Sequence, residues 1–378
     1  MKIALIASGA IPAHTANSIQ SMKMAQAMSD LGDEVRVFAA GEAPRITWGE
    51  LAAHYGLASE FKIVWLRARP ALRRYDFAYA AVGAARAWGA ELVYTRLPQA
   101  ATLAARRGVA TIFELHDVPS GTMGPWLLRN FLRAKGARRL VVNTQYLARQ
   151  IQAGYALPSR KDFLLLAPNG VDLRRYIRLP NPKAARKSLQ LVEGFTIGYT
   201  GHLYKGRGIS FLFELARRLP KMRFLLVGGR PEDVGERRQQ ARGLKNVLLA
   251  GFVPNAELPR YQAACDVLVL PYSRQVSGSS GVDIAPYTNP LKMFEYLATG
   301  RPIVASDLPI LKEILSEKNA IILPSGDVDA WVEALAGLQR SPRRRAALAK
   351  AARQTAGQYT WEKRAQRILR DLDTSAKI

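Results

Sequence analysis

The sequence predicts an α/β protein built from two doubly wound parallel sheets that face each other across a cleft. Three observations lead there. Short apolar runs alternate with helical segments through the first half of the chain; the alternation breaks at a basic, proline-containing stretch and then restarts. A glycine-containing turn follows the first strand of each series, as expected where a backbone must approach a ligand. At 378 residues, the chain is longer than a single core commonly supports.

In the first series, residues 3–7 read as a buried strand, 18–30 as a helix stopped by Gly32, and 35–39 as the next strand. Residues 63–67, 92–94, 109–115 and 140–142 continue the pattern. The break falls at 174–187. Strands are expected again at 196–199, 223–227, 246–250, 267–271, 303–306 and 320–323. The division is placed at residues 1–180 and 181–359, with a last helix around 361–372.

Composition narrows the class. Hydrophobic residues make up 48% of the chain, which suits a packed globular protein. No run approaches the roughly 18 apolar residues of a membrane span. The opening residues 1–9 are too short in apolar length for a signal peptide. The single cysteine, Cys265, excludes an internal disulfide and reads as a buried small hydrophobe in a cytoplasmic protein.

The net charge of +25 is spread over both halves, with two concentrations. Lys62, Arg67, Arg69, Arg73 and Arg74 are interleaved with Phe61, Trp65, Tyr75 and Phe77. In the segment 126–139, Leu127, Leu128, Phe131 and Leu132 share one helical face, with Arg129 and Arg133 beside it. That basic amphipathic pattern suggests attachment to anionic lipid, and the protein is expected on the inner face of the membrane as a peripheral protein. The same charge reads equally as a solvated arginine-rich surface. Zinc-finger spacing and RNP-like aromatic motifs are missing, so nucleic acid is not the expected partner.

The most informative segment is 289–304. Asn289 suits an N-cap, Pro290 the first helical position, and Gly300 the left-handed position past the end, with Pro302 blocking continuation. Leu291, Phe294 and Leu297 give an apolar face, and Glu295 sits one turn in, beside a terminus suited to an anion. Taken alone, this is also an ordinary capped amphipathic helix. In the company of the other strand-end loops it resembles the nucleotide-sugar site of the GT-B-fold, retaining glycosyltransferases of family 4, whose two domains are Rossmann-like. In that family a glutamate on such a helix holds the donor ribose, so the resemblance assigns that role to Glu295. The family's second glutamate, eight positions earlier, is here Tyr287.

The loop 201–208 follows the first strand of the second series. Aligned on Gly201 and Gly208, the family's arginine and lysine become His202 and Arg207, with Lys205 as a further cation. The resemblance implies that Arg207 contacts the donor diphosphate, joined by Lys292 and the amides beside Asn289, Pro290 and Leu291. It also puts Gly9 near the donor, and Val253, after Gly251, near the nucleobase. The loop 277–281 could close over the donor sugar. His116 ends a strand and corresponds to a family histidine beside the sugar. Asn17, Ser18 and Asp117 are expected to contact the acceptor. The turn after the first strand lacks G-x-G-x-x-G spacing, which rules against NAD.

What the resemblance implies is transfer of a hexose, with retention, from a nucleotide sugar, with uridine preferred, to a glycan or lipid-linked acceptor. His116, Arg207, Lys292 and Glu295 are the expected reaction-centre residues. No Asp-x-Asp pair is seen at a strand end, so no metal or other cofactor is expected; cations and a helix terminus suit the leaving diphosphate instead. A nucleotide-sugar-binding subunit without activity stays open, given Tyr287 and His202. So does a sugar-nucleotide epimerase, with Glu114 and Asp117 as its acid and base.

Overall fold

The computed structural model describes residues 1–275 and 287–372, which form two compact units. The first comprises Met1–Asn169 and the C-terminal segment from Trp361. The second comprises Gly170–Thr360. The chain passes into the second unit after Asn169, eleven residues before the division read from the sequence. Residues following that point belong to the second core: Val171 N–H donates to Tyr359 O at 2.9 Å, and Tyr176 is buried there.

The first unit runs β1 (Lys2–Ile6), α1 (Ala16–Asp30), β2 (Glu34–Ala40), α2 (Trp48–Tyr55), β3 (Lys62–Leu66), α3 (Tyr75–Ala87), β4 (Leu92–Thr95), α4 (Pro98–Arg106), β5 (Ala110–Leu115), α5 (Met123–Leu132), β6 (Ala137–Val142), α6 (Gln145–Gly154) and β7 (Leu164–Leu166). Its seven strands are all parallel, in the order β3-β2-β1-β4-β5-β6-β7. The central strands are near-continuous apolar runs because helices cover both faces.

The second unit runs α7 (Pro182–Ser188), β8 (Thr196–Thr200), α8 (Ile209–Arg218), β9 (Arg223–Val227), α9 (Pro231–Gln240), β10 (Val247–Gly251), α10 (Leu258–Ala263), β11 (Val267–Leu270), α11 (Leu291–Thr299), β12 (Ile303–Ser306), β13 (Ile321–Leu323), α12 (Val328–Arg340) and α13 (Pro342–Ala356). Its parallel sheet has the order β10-β9-β8-β11-β12-β13. In each sheet the strand order reverses beside the first strand, between β1 and β4 and between β8 and β11. That switch leaves a crevice at the carboxyl ends, where ligands of such sheets sit.

Helix α14 (Trp361–Leu369) packs in the first unit. Trp361, Ala365 and Ile368 are buried, and burial of Ile368 alone contributes about 1.5–3 kcal/mol. Two buried arginines pin the helix. Arg139 of β6 donates to Arg370 O at 3.1 Å and also to Ile368 O, covering carbonyls at the helix end. Arg364 of α14 reaches inward, donating to Pro168 O at 3.0 Å and to Glu114.

Two expectations are corrected. Helix α5 does not offer its apolar face to lipid: Leu127, Leu128, Phe131 and Leu132 are all buried in the first unit, with Phe131 edge-on to Phe113 at 5.4 Å between centroids. The domain's need for a core claims that face first. Helix α11 starts at Leu291 with Pro290 in the cap position, so Asn289 lies one residue outside and is not the N-cap. Proline's fixed φ suits this extended cap, φ −72° and ψ 127°. Gly300 does close the helix in the left-handed conformation, φ 61°.

Candidate active site

Each unit carries its own group of glycines and polar side chains at its switch point. In the second unit the glycines at the ends of β8, β9 and β10 bring three backbones together. Gly201 N–H donates to Val227 O and Gly228 N–H to Gly251 O, at 2.8 and 2.6 Å. A Cβ on Gly228 would lie 2.5 Å from Gly201 O, so only glycine permits this approach.

Above this floor lie two cations. The Lys292 ammonium sits 3.8 Å from the centroid of the Tyr199 ring and 5.7 Å from that of Tyr272. The Arg207 guanidinium stands 5.0 Å over Tyr272, and its Nε is buried without a hydrogen-bond partner among the described residues. Burial first, then Arg207, pushes the Lys292 pKa well below that of an ordinary lysine, against the pull of Glu295. Two like charges share one aromatic floor beside the start of α11, an arrangement suited to a dianion.

Glu295 is half-buried one turn along α11. Its Oε2 accepts from Gln262 Nε2 at 3.2 Å, and Gln262 Oε1 in turn accepts from Tyr176 OH at 3.1 Å. Gln262 also donates to Thr200 Oγ1, tying α10 and β8 to the same carboxylate. His202 stacks on Tyr204, 4.7 Å between centroids and 4° between planes. Lys205 is exposed, and Val253 packs at the edge of the core. Tyr287 is half-buried, eight positions before Glu295. The loop 277–281 lies outside the described residues.

In the first unit, Thr15 caps α1, accepting from Ser18 N–H at 3.2 Å. Ser18 is buried, and its hydroxyl donates to Ala13 O at 2.7 Å, so it builds the loop. Asn17 donates to Ser8 Oγ and accepts from Arg96 Nη1, each at 2.8 Å. Gly9 packs against Asn17. Burial lowers the Arg96 pKa to about 9, with Asp117 acting in the opposite direction, so the guanidinium stays charged at neutral pH. His116 follows directly on β5, with its Nε2 on Glu114 Oε1. Asp117 follows it and is exposed.

Sequence reasoning missed Arg96, Gln262 and the two tyrosines beneath the cations. Arg96 follows directly on β4, so the strand-end rule that selected His116 would have selected it too. Gln262 is a polar residue among the apolar positions of a short helix, a weaker signal. Among the described residues, no three His, Cys, Asp or Glu side chains converge as metal ligands, and no helix is long and apolar enough to cross a membrane.

Comparison with known proteins agrees with this division. A family profile described as Glycosyltransferase Family 4 matches residues 20–175, and one described as Glycosyl transferases group 1 matches residues 194–341. A D-inositol 3-phosphate glycosyltransferase of Corynebacterium urealyticum is 26% identical over 61% of this chain and 55% of its own length. A phosphatidyl-myo-inositol mannosyltransferase of Mycolicibacterium smegmatis is 28% identical over 55% of this chain and 51% of its own. The match thus spans about half the length of these curated relatives. The fold is that of Alr3699/HepE of Anabaena, crystallised with UDP and glucose, at a TM-score of 0.72 and 20% identity over 97% of this chain and 98% of the other. With a profile matched in each half and the two parallel-sheet units of the GT-B architecture, the chain belongs to the family 4, group 1 glycosyltransferases.

Proposed function

We propose that this protein is a retaining hexosyltransferase that takes its sugar from a nucleotide diphosphate donor, with uridine as the base. The observation that carries this reading is the pair Arg207 and Lys292 on their tyrosine floor at the start of α11, with Glu295 one turn beyond. The two cations and the first amides of α11 would take the diphosphate, and Glu295, oriented by Gln262, the ribose hydroxyls. The UDP and glucose held by the similarly folded Anabaena protein support the choice of donor.

In the reaction proposed, the bond from the anomeric carbon to the diphosphate breaks as the acceptor oxygen attacks the same face. The acceptor's proton passes to the departing diphosphate, whose charge Arg207 and Lys292 neutralise without a metal ion. Asn17, Arg96 and Asp117 of the first unit would meet the acceptor. Names of relatives point to phosphorylated polyols and phosphoinositide lipids as acceptors, and a lipid-linked or glycan acceptor at the inner membrane face fits the basic charge. For lipid contact the structure offers Met123 and Trp126, both exposed on the first turns of α5, followed by exposed Arg129 and Arg133.

The test is turnover of a panel of nucleotide hexoses with phosphorylated polyol and lipid acceptors, in the presence of a chelator, with the product's anomeric configuration read by NMR. Retention with a uridine donor is expected; inversion, or dependence on added metal, would contradict the mechanism. Binding without turnover would favour a non-catalytic subunit, for which Tyr287 in place of the family's first glutamate is the favouring observation. An epimerase is disfavoured because Glu114, one of the two carboxylates it would need, is buried and paired with Arg364.

A further inference from the structure

The N-terminal ends of β9 and β10 frame a cavity of about 380 Å³ that opens to solvent, within the range of small-molecule sites. It is lined by Arg217 in the last turn of α8, Arg223 at the start of β9, and Lys245 and Asn246 just before β10. No carboxylate lines it. The floor formed by Gly228 and Gly251 lies at the opposite ends of the same strands, one strand length or roughly 17 Å away. Cations at the end of a helix ordinarily serve its free carbonyls. Here that task is taken. Asn246, 8% exposed, donates from Nδ2 to Ala216 O, Leu219 O and Met222 O at 3.0, 3.2 and 3.0 Å. The side chains of Arg217, Arg223 and Lys245 make no hydrogen bond or ion pair to a described residue. Arg223 is held in place all the same: its stem crosses the bare backbone of Gly194, where a Cβ would lie 3.2 Å from its Cγ. With Nδ2 engaged, Oδ1 is what the Asn246 amide can still offer a ligand, and it too makes no hydrogen bond among the described residues.

We propose that this cavity binds a phosphate monoester carried by a hydroxyl-bearing small molecule, at a site separate from the nucleotide site. Arg217, Arg223 and Lys245 take the phosphate, and Asn246 Oδ1 accepts from a hydroxyl on the ester's carbon chain. The inference does not depend on the transferase reading. Three like charges around one cavity repel each other, and an anion among them relieves that repulsion. Two guanidinium groups and an ammonium offer more donors than a carboxylate can use. A phosphate monoester meets them with three strong acceptor oxygens and about two negative charges at pH 7. A free polyol phosphate and a lipid with a terminal phosphate present this same chemistry.

Glycerol 3-phosphate is the soluble probe, titrated into the 15N-labelled full chain while the backbone amides of Gly243, Lys245 and Asn246 are followed. Residue-by-residue shifts keep a probe held at α11 from being mistaken for one held here. Saturable shifts of these amides are expected, with affinity at least tenfold weaker in Arg217→Gln/Lys245→Gln. Both substituted side chains are exposed, so the variant keeps the fold. Ethyl phosphate, which keeps the charge and lacks hydroxyls, should bind the wild type roughly fivefold more weakly than glycerol 3-phosphate. Equal binding of the two esters overturns the hydroxyl contact. Vesicles containing phosphatidic acid, compared with phosphatidylglycerol, present the monoester at a surface. Tighter sedimentation on phosphatidic acid, lost in the double variant, supports the site with a lipid as its source. If neither the soluble ester nor phosphatidic acid is bound in preference, or if the double variant binds them as the wild type does, the proposal is overturned.

Discussion

Lys292 presses its ammonium against the face of Tyr199, 3.8 Å from the ring centroid, and a Cβ at Gly201 would come within 2.5 Å of the same nitrogen. The amine is thus confined between an aromatic face and a bare backbone, next to Arg207. Burial and that neighbour disfavour its charge; a diphosphate would favour it. Donor binding should therefore raise the Lys292 pKa and take up a proton at pH values between the free and bound pKa. Calorimetry of nucleoside diphosphate binding in two buffers of different ionisation enthalpy measures the uptake. It should vanish in Lys292→Met; equal uptake in both proteins would contradict the assignment.

Gly201 holds φ +122°, which a side chain rarely adopts. Gly201→Ala adds strain and displaces the flexible lysine head. Donor affinity should fall by at least the value of one charge-assisted contact, roughly 1.5–3 kcal/mol, with the fold retained by circular dichroism.

Glu295 depends on a relay through Gln262 to Tyr176. Gln262→Leu keeps the volume and removes the link. Donor affinity should fall about tenfold or less, while Glu295→Ala should lose more, since it removes the carboxylate proposed to hold the ribose. Titration with a nucleoside diphosphate and with the full donor separates these losses from those at the diphosphate.

The Arg364–Glu114 pair is fully buried. Removing one partner leaves the other charge unpaired in the core, so Arg364→Met and Glu114→Gln should each destabilise by about 3–5 kcal/mol. The double variant should lose much less than the sum. Chemical denaturation measures the cycle; additive losses would mean that the pair is not energetically coupled.

His116 gives the fold a pH dependence of defined sign. Its native pKa of about 4 lies below the ordinary imidazole value of 6.5, because burial and Arg96 disfavour the charged ring, so on unfolding the imidazole takes up a proton in that window. Stability from this group is complete above pH 6.5 and falls with pH towards 4, by about 3 kcal/mol in all. His116→Gln should flatten that part of the stability curve.

Much of the fold was legible because buried parallel strands are apolar runs bounded by turns. Arg223–Val227 and Ile303–Ser306 match the sequence reading to the residue. Three-residue β7 and the alanine-rich α13 escaped because neither carries a strong period. Helix α5 shows the limit of pattern alone: an apolar face beside arginines suits a lipid surface and a protein core equally, and only the packing of Phe131 on Phe113 decides. At the candidate site, glycines and strand-end cations stood out in sequence. Gln262, Tyr199 and Arg364 did not, because their roles follow from partners roughly 30 to 250 positions away.

The basic surface makes its own prediction. Arg129→Gln/Arg133→Gln should weaken sedimentation with phosphatidylglycerol-containing vesicles roughly 30-fold, at about 1 kcal/mol per charge, with no change on neutral vesicles. Trp126→Ala should weaken both.

The central claim is that the start of α11 and its two cations form a nucleotide-sugar site. Thermal unfolding with a panel of nucleotide sugars, for the wild type, Glu295→Ala and Arg207→Ala, tests it most directly. A donor at 100 times its dissociation constant should stabilise the wild type by about 2.7 kcal/mol, with the shift lost in both variants. No shift with any nucleotide sugar, or the same shift in all three proteins, would contradict the account.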